Sequence, residues 1–375
     1  MKLIMYGMNQ TTVSKDVLHK YRLDYSMREQ HLKDISNFKG VSEVMLVATE
    51  KRNEYYLYID ETIFNHGDLL RYLSVHTGRS LENIILETYS KFNSDVVTRL
   101  FRLTSVVNEY SEPLSVLEQS LYEGKLLKTT GEILENLFNR SISFSLSLYD
   151  KKALYPLLNS YEAKMIQSMD LNLPVKEDLD FLIIGSHQIL KHLSTYLVGK
   201  TNAYLTFLEK NEKSKKMIAS LRRSLVLTNK LQKINTIQTA DLNQLVYRLS
   251  KSDVIIIGPS VKNAWLSNEL LEDMHEMRPS TKNQLILDLC GSQDETLFFD
   301  YPEMNYIQIP ESKGNDYSSE KVKVASTFYE DYVTNESNAF MDTFNQKSKE
   351  KRDSAPLKKT FKRNYRYENL NGFKV

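Results

Sequence analysis

Apolar residues recur along the chain with two spacings, and the switch between them outlines its organisation. Residues 2–6, 43–48 and 54–59 are short apolar runs, the first closed by the turn signal Gly7-Met8-Asn9, and they predict three strands. Residues 15–35 place apolar side chains at every third or fourth position, which predicts a helix between the first two strands. Amphipathic helices are expected over 68–103, and residues 114–148 read as helix interrupted near Gly124 and Gly131. Together these elements outline a small α/β sandwich, assigned to residues 1–150.

Beyond Pro174 the runs become nearly continuous in Val, Ile and Leu. Phe181-Leu182-Ile183-Ile184-Gly185, residues 204–208, Asp253-Val254-Ile255-Ile256-Ile257-Gly258 and residues 284–288 alternate with helical patterns such as 188–197. Strands apolar on both faces and separated by helices predict a covered parallel sheet, a Rossmann-like unit assigned to residues 151–310. Right-handed crossovers would bring the strand ends at Gly185, Glu209, Gly258 and Asp288 to one crevice, where open sheets bind ligands.

After Pro310 a helical stretch over 318–344 carries Val322, Ala325, Phe328, Tyr329, Tyr332 and Phe340 on one stripe. Such a helix must pack on another domain or subunit, and residues 311–346 are assigned to it. Residues 347–366 hold nine Lys/Arg against two acids, so 347–375 is expected to be a disordered basic tail. The fold class is therefore α/β: an N-terminal sandwich, a Rossmann-like parallel sheet and a long C-terminal helix.

Composition removes several functions. The chain has 12 glycines in 375 residues, and the nearest two, Gly124 and Gly131, are seven apart. No intact G-x-G-x-x-G fingerprint, phosphate loop or G-x-S-x-G elbow can be present. Forty-nine basic against 48 acidic side chains leave a net charge of +1, so a basic surface must be local. One such surface is suggested by Lys210, Lys213, Lys215, Lys216, Arg222, Arg223, Lys230 and Lys233 against Glu212 alone, a stretch suited to a phosphate backbone or to a solvated helix face. The single cysteine, Cys290, excludes intrachain disulfides and is read as a buried small apolar residue. No transmembrane run or signal peptide is recognisable, so a soluble, cytoplasmic protein is expected.

Several motifs then line up in order with one family. Gly7-Met8-Asn9-Gln10-Thr11-Thr12-Val13-Ser14 resembles G-x-N-H-x-T-A-P, and Ala48-Thr49-Glu50-Lys51-Arg52-Asn53-Glu54-Tyr55-Tyr56 resembles S-T-C-N-R-x-E-x-Y. Leu100-Phe101-Arg102-Leu103-Thr104-Ser105, Ser111-Glu112-Pro113, Ser252-Asp253-Val254-Ile255-Ile256 and Leu285-Ile286-Leu287-Asp288-Leu289 follow, with Glu336 and Phe340 like an E-x-x-x-F along the last helix. The chain resembles the glutamyl-tRNA reductases over roughly residues 1–344. That resemblance implies tetrapyrrole metabolism, NADP(H) as cofactor, tRNA as a partner, and a nucleophilic cysteine that forms a thioester.

The departures fall on that chemistry. Glu50 stands at the cysteine position, and a carboxylate is a poor nucleophile toward the ester, so reductase chemistry is expected to be lost. Gln10, Lys91 and Arg99 stand where the family carries histidines, which removes three groups that exchange protons near neutral pH. Thr49, Arg52, Lys91 and Arg99 remain as candidates for substrate binding. Arg52 has two readings: it could grip a substrate carboxylate by a bidentate fork, or pair with Glu54. In the alternative reading as an enzyme, Glu50 would act as a general base; Lys91 beside it would form an ion pair, which would equally account for both residues structurally.

At the crevice, Gly185-Ser186-His187 replaces the family's phosphate turn, with His187 at its second glycine. Glu209 and Lys210, at the next strand end, are candidates for the ribose and phosphate. His187 and His192 are the first candidates as axial ligands if the bound group is haem or another tetrapyrrole. A binding or regulatory descendant of the reductases, partnered by a tetrapyrrole or a protein of that pathway, is the favoured expectation. An NAD(P)-dependent oxidoreductase is its alternative. The resemblance implies a dimerisation region longer than the last helix, which is expected to be truncated here.

Overall fold

The computed structural model describes residues 1–105, 107, 112–158, 160–173, 178–200, 203–208, 212–227, 231–259, 261, 266–278, 282–291, 294–309 and 319–353. Its first half runs β1 (Lys2–Asn9), α1 (Lys15–His19), α2 (Tyr25–Ser36), β2 (Val41–Thr49), β3 (Arg52–Ile59), α3 (His66–Thr77), α4 (Leu81–Glu87), β4 (Tyr89–Phe92), α5 (Ser94–Leu103), α6 (Leu114–Leu127) and α7 (Glu132–Ser147). The four strands form an antiparallel sheet in the order β2-β3-β1-β4. Strand alternation sorts its side chains to two cores. Leu3, Met5, Met45, Val47, Tyr56 and Tyr58 join the apolar cluster of α5–α7, whereas Ile4, Tyr6, Met8, Val44, Leu46, Tyr55 and Leu57 pack with Leu32, Ile35, Leu69, Leu73 and Ile84 of α2–α4. Burying each such side chain stabilises the fold by about 1.5–3 kcal/mol. The expected sandwich is present, with a fourth strand, β4, inside the span read as helical.

The second half runs α8 (Tyr161–Asn172), β5 (Asp180–Ile184), α9 (Gln188–Lys200), β6 (Tyr204–Leu208), α10 (Glu212–Leu227), β7 (Ile237–Ala240), α11 (Leu245–Lys251), β8 (Val254–Ile257), α12 (Asn268–Met277), β9 (Gln284–Asp288), β10 (Met304–Gln308) and α13 (Glu320–Asp353). Its six strands are all parallel, in the order β10-β9-β8-β5-β6-β7. This is the doubly wound order, with its switch point between β5 and β8. The register aligns Ile184 with Leu208 and Ile257, and Ile257 with Asp288, so the expected strand ends share one edge. Strands β7 and β10 add to the four expected.

Helix α13 finds its partners on the first sheet's helices. Thr98 donates to Ser337 at 3.1 Å, Arg102 and Arg140 pair with Glu330 and Glu336, and Tyr332 meets Ser147 at 2.9 Å. The helix reaches Asp353, which corrects the expectation of disorder for 347–353; high helix propensity in this Lys/Glu/Arg-rich segment carries it past its last apolar contact, Phe344. Residues 354–375 lie outside the described residues. No helix among the described residues is long and apolar enough to cross a membrane.

Candidate functional site

The β2–β3 hairpin turns through Glu50 and Lys51, and Thr49 Oγ1 supports the turn by accepting the Lys51 N–H at 3.1 Å. Glu50 is on the outside of this turn. Its side chain is 79% exposed and pairs with Arg22 at 2.9 Å. Alternation then carries Arg52, Glu54 and Tyr56 to the face covered by α5.

Glu54 is fully buried and organises the site. Its Oε1 accepts from Tyr89 Oη at 2.7 Å and from Arg99 Nε at 3.2 Å, and its Oε2 accepts from Tyr56 Oη at 2.6 Å. Arg52 Nη1 lies 3.5 Å from Glu54 Oε1, while Arg52 Nε donates to Glu112 Oε1 at 2.9 Å. Thr49 Oγ1 donates to the same Glu112 oxygen at 3.1 Å, and Asn9 Nδ2 donates to Tyr89 Oη at 2.9 Å. Burial alone would raise the Glu54 carboxyl, but the Arg99 and Arg52 guanidiniums and the Tyr56 hydroxyl hold it below the ordinary carboxylate range. Burial, with Glu54 beside them, pushes the Tyr56 and Tyr89 phenols up. Two carboxylates therefore balance two guanidiniums inside the protein.

This arrangement brings together Thr49, Arg52 and Arg99 and leaves out Glu50 and Lys91. Lys91 stands opposite Met5, whereas the hairpin end faces Asn9, four residues and ~13 Å further along β1. The expected Lys91–Glu50 ion pair is accordingly not formed, and Arg22 takes its place. For Arg52, the pairing with Glu54 is realised and Glu112 is added. Glu112 joins the site without having been expected there; the local signal for it is an acid beside a proline just ahead of a helix.

At the parallel sheet, Gly185 has φ +106°, a conformation open to glycine. Ser186 is half-buried beside it. His187 caps α9: its Nδ1 accepts the Ile189 N–H at 3.3 Å and its carbonyl accepts the Leu190 N–H at 3.0 Å. A ring in this position takes up a helix N–H that a bound pyrophosphate would otherwise use. His192 is directed to Glu162 of α8, 3.4 Å away, so the two histidines serve different contacts. Glu209 and Lys210 lie outside the described residues. Cys290 is half-buried rather than buried, in the loop after β9, with Sγ donating to the Val261 carbonyl.

On α10, Lys213 and Lys216 are exposed, Lys215 pairs with Glu212 at 3.3 Å, Arg222 donates to the Ile237 carbonyl at 3.1 Å, and Arg223 lies 5.2 Å over the Tyr122 ring. Among the described residues, no group of three or more His, Cys, Asp or Glu is placed to hold a metal ion.

Residues 6–151 match the family model "Glutamyl-tRNAGlu reductase, N-terminal domain". The glutamyl-tRNA reductase of Cyanophora paradoxa is 21% identical over 280 residues, 73% of this chain and 62% of that protein. That of Oceanobacillus iheyensis is 21% identical over 338 residues, 86% of this chain and 71% of the relative. The chain thus spans about two thirds of the length of the curated relatives it matches. The solved glutamyl-tRNA reductase of Methanopyrus kandleri superposes with a TM-score of 0.47 and 16% identity, over 94% of this chain and 81% of that one. The chain is a divergent relative of the glutamyl-tRNA reductase family, with the likeness to that family's N-terminal domain carried by residues 6–151.

Proposed function

We propose that this chain is a reductase-like protein of tetrapyrrole metabolism that acts by binding or regulation and does not reduce glutamyl-tRNA. The observation that carries this reading is the state of the charges around Glu54. Arg52 and Arg99, the cations best placed to grip a substrate carboxylate, already meet Glu54 and Glu112, and Glu50 lies outside the cluster on Arg22. A carboxylate held by a guanidinium in open solvent is a weak nucleophile, and among the described residues no imidazole or thiol stands within the cluster to replace it. The His187 cap supports the same reading, because hydride transfer needs a bound dinucleotide. The proposed ligand is a tetrapyrrole or a protein of that pathway, with tRNA contact through Lys213 and Lys216 as a secondary electrostatic mode.

The test supplies the full chain with charged tRNA and NADPH and measures semialdehyde, in parallel with a haem titration followed by absorption. No semialdehyde together with a haem-dependent Soret shift is the expected result. Semialdehyde formation that disappears in Glu50→Ala would restore catalysis to this site and overturn the proposal.

A further inference from the structure

Helix α9, which opens at the crevice, is tied by a buried charge to the helices of the first sheet. Lys191 on α9 is 4% exposed and donates to Glu118 Oε2 at 2.8 Å; Glu118 on α6 is 6% exposed, and its Oε1 accepts from Ser224 on α10. These three polar side chains lie on the same helices as Leu117, Leu121, Leu221 and Leu225 of the continuous apolar cluster. One turn on, Tyr196 of α9 donates to Asp150 Oδ1 at 2.7 Å.

Removing an ammonium and a carboxylate from water costs several kcal/mol each, and their attraction offsets this only in a good geometry. Sliding α9 against α6 while the interface stays dry would leave both charges unpaired. The pair therefore adds little net stability but disfavours other orientations. Its position joins two regions: Lys191 is one turn from the His187 cap, and Glu118 is on the helix that begins two residues after Glu112, the acceptor of Arg52 and Thr49.

We propose that Glu118, Lys191 and Ser224 form an orientation latch that fixes α9 on α6 and couples the crevice turn to the Glu112–Arg52 contact. This goes beyond the proposed function and does not depend on it. The latch makes a division between stability and order that an ordinary structural ion pair does not.

The test compares the full chain with the double variant Glu118→Leu/Lys191→Met and with Ser224→Ala, by thermal unfolding and by backbone hydrogen exchange. The double variant, with both charges replaced by apolar groups of similar size, is expected to keep or raise its midpoint. Exchange in residues 49–54, 112–118 and 186–191 should nevertheless quicken about tenfold, with a smaller effect in Ser224→Ala. Exchange unchanged in 49–54 and 186–191 would overturn the latch. A lowered midpoint with uniformly faster exchange across both sheets would also overturn it, by making the pair a plain contributor to stability.

Discussion

Tyr89 reaches Glu54 over Gly7. The two residues stand on β4 and β3, separated by β1, and Gly7 is in register with both. A Cβ at Gly7 would lie 2.8 Å from Glu54 Cγ and 3.2 Å from Tyr89 Cζ, so the hydrogen bond of 2.7 Å exists because that position has no side chain.

Gly7→Ala is therefore expected to push Glu54 and Tyr89 apart and to destabilise the protein by about 1–3 kcal/mol, as overpacking does. Combined with Tyr89→Phe, the loss should be less than additive, because both changes remove the same contact. Urea unfolding of the two single variants and the double one measures this, and additive losses would show that Gly7 acts elsewhere.

Glu54 itself should be costly to neutralise. Glu54→Gln leaves Arg52 and Arg99 with one carboxylate, Glu112, and breaking a buried pair in this way costs about 3–5 kcal/mol. The folded carboxyl lies below the unfolded value of 4.5, so its contribution is complete above that value and is lost as pH falls below it. The wild-type unfolding midpoint should drop as pH is lowered from 5 to 3, roughly, and Glu54→Gln should show a shallower drop. Parallel curves for the two proteins would remove Glu54 as the cause.

The contrast between these residues and the sequence explains what was legible. Runs such as Phe181-Leu182-Ile183-Ile184 announce a doubly covered strand, because every position must be apolar. Tyr89-Ser90-Lys91-Phe92 gives no such signal: it is a four-residue edge strand with two exposed positions. Ile237-Gln238-Thr239-Ala240 and Met304-Asn305-Tyr306-Ile307-Gln308 are outer strands of the other sheet, with polar positions for the same reason. The Arg52–Glu54 pairing was legible because i and i+2 share a strand face. Arg99 and Tyr89 meet Glu54 across 45 and 35 residues, through a register that only the folded sheet fixes.

His31 should make the protein acid-sensitive in a second window. It is 1% exposed, its Nδ1 lies 2.8 Å from Tyr55 Oη, and the rings of Tyr72 and His76 stand 5.0 and 5.1 Å away. Burial, then the nearby His76, push its pKa from 6.5 down to about 4, against an opposing pull from Asp34. Between these values the unfolded chain binds a proton that the folded one refuses, so stability falls as pH drops through that window, by about 3 kcal/mol in total. His31→Phe should flatten the stability profile between these limits, and an unchanged slope would assign the effect to another group.

The last prediction concerns the crevice. His187 Nδ1 accepts the Ile189 N–H, and Gly185 keeps a left-handed backbone that a phosphate turn also uses. If the ring is what closes the turn, wild-type protein should give no calorimetric heat with NADPH, whereas His187→Gly should bind it measurably, since the freed N–H groups and the helix dipole then face the crevice. Loss of the cap should meanwhile cost the fold about 1 kcal/mol or less. Binding to wild type with an affinity equal to that of the variant would mean that the imidazole swings aside at little cost, and the crevice would then be a working dinucleotide site.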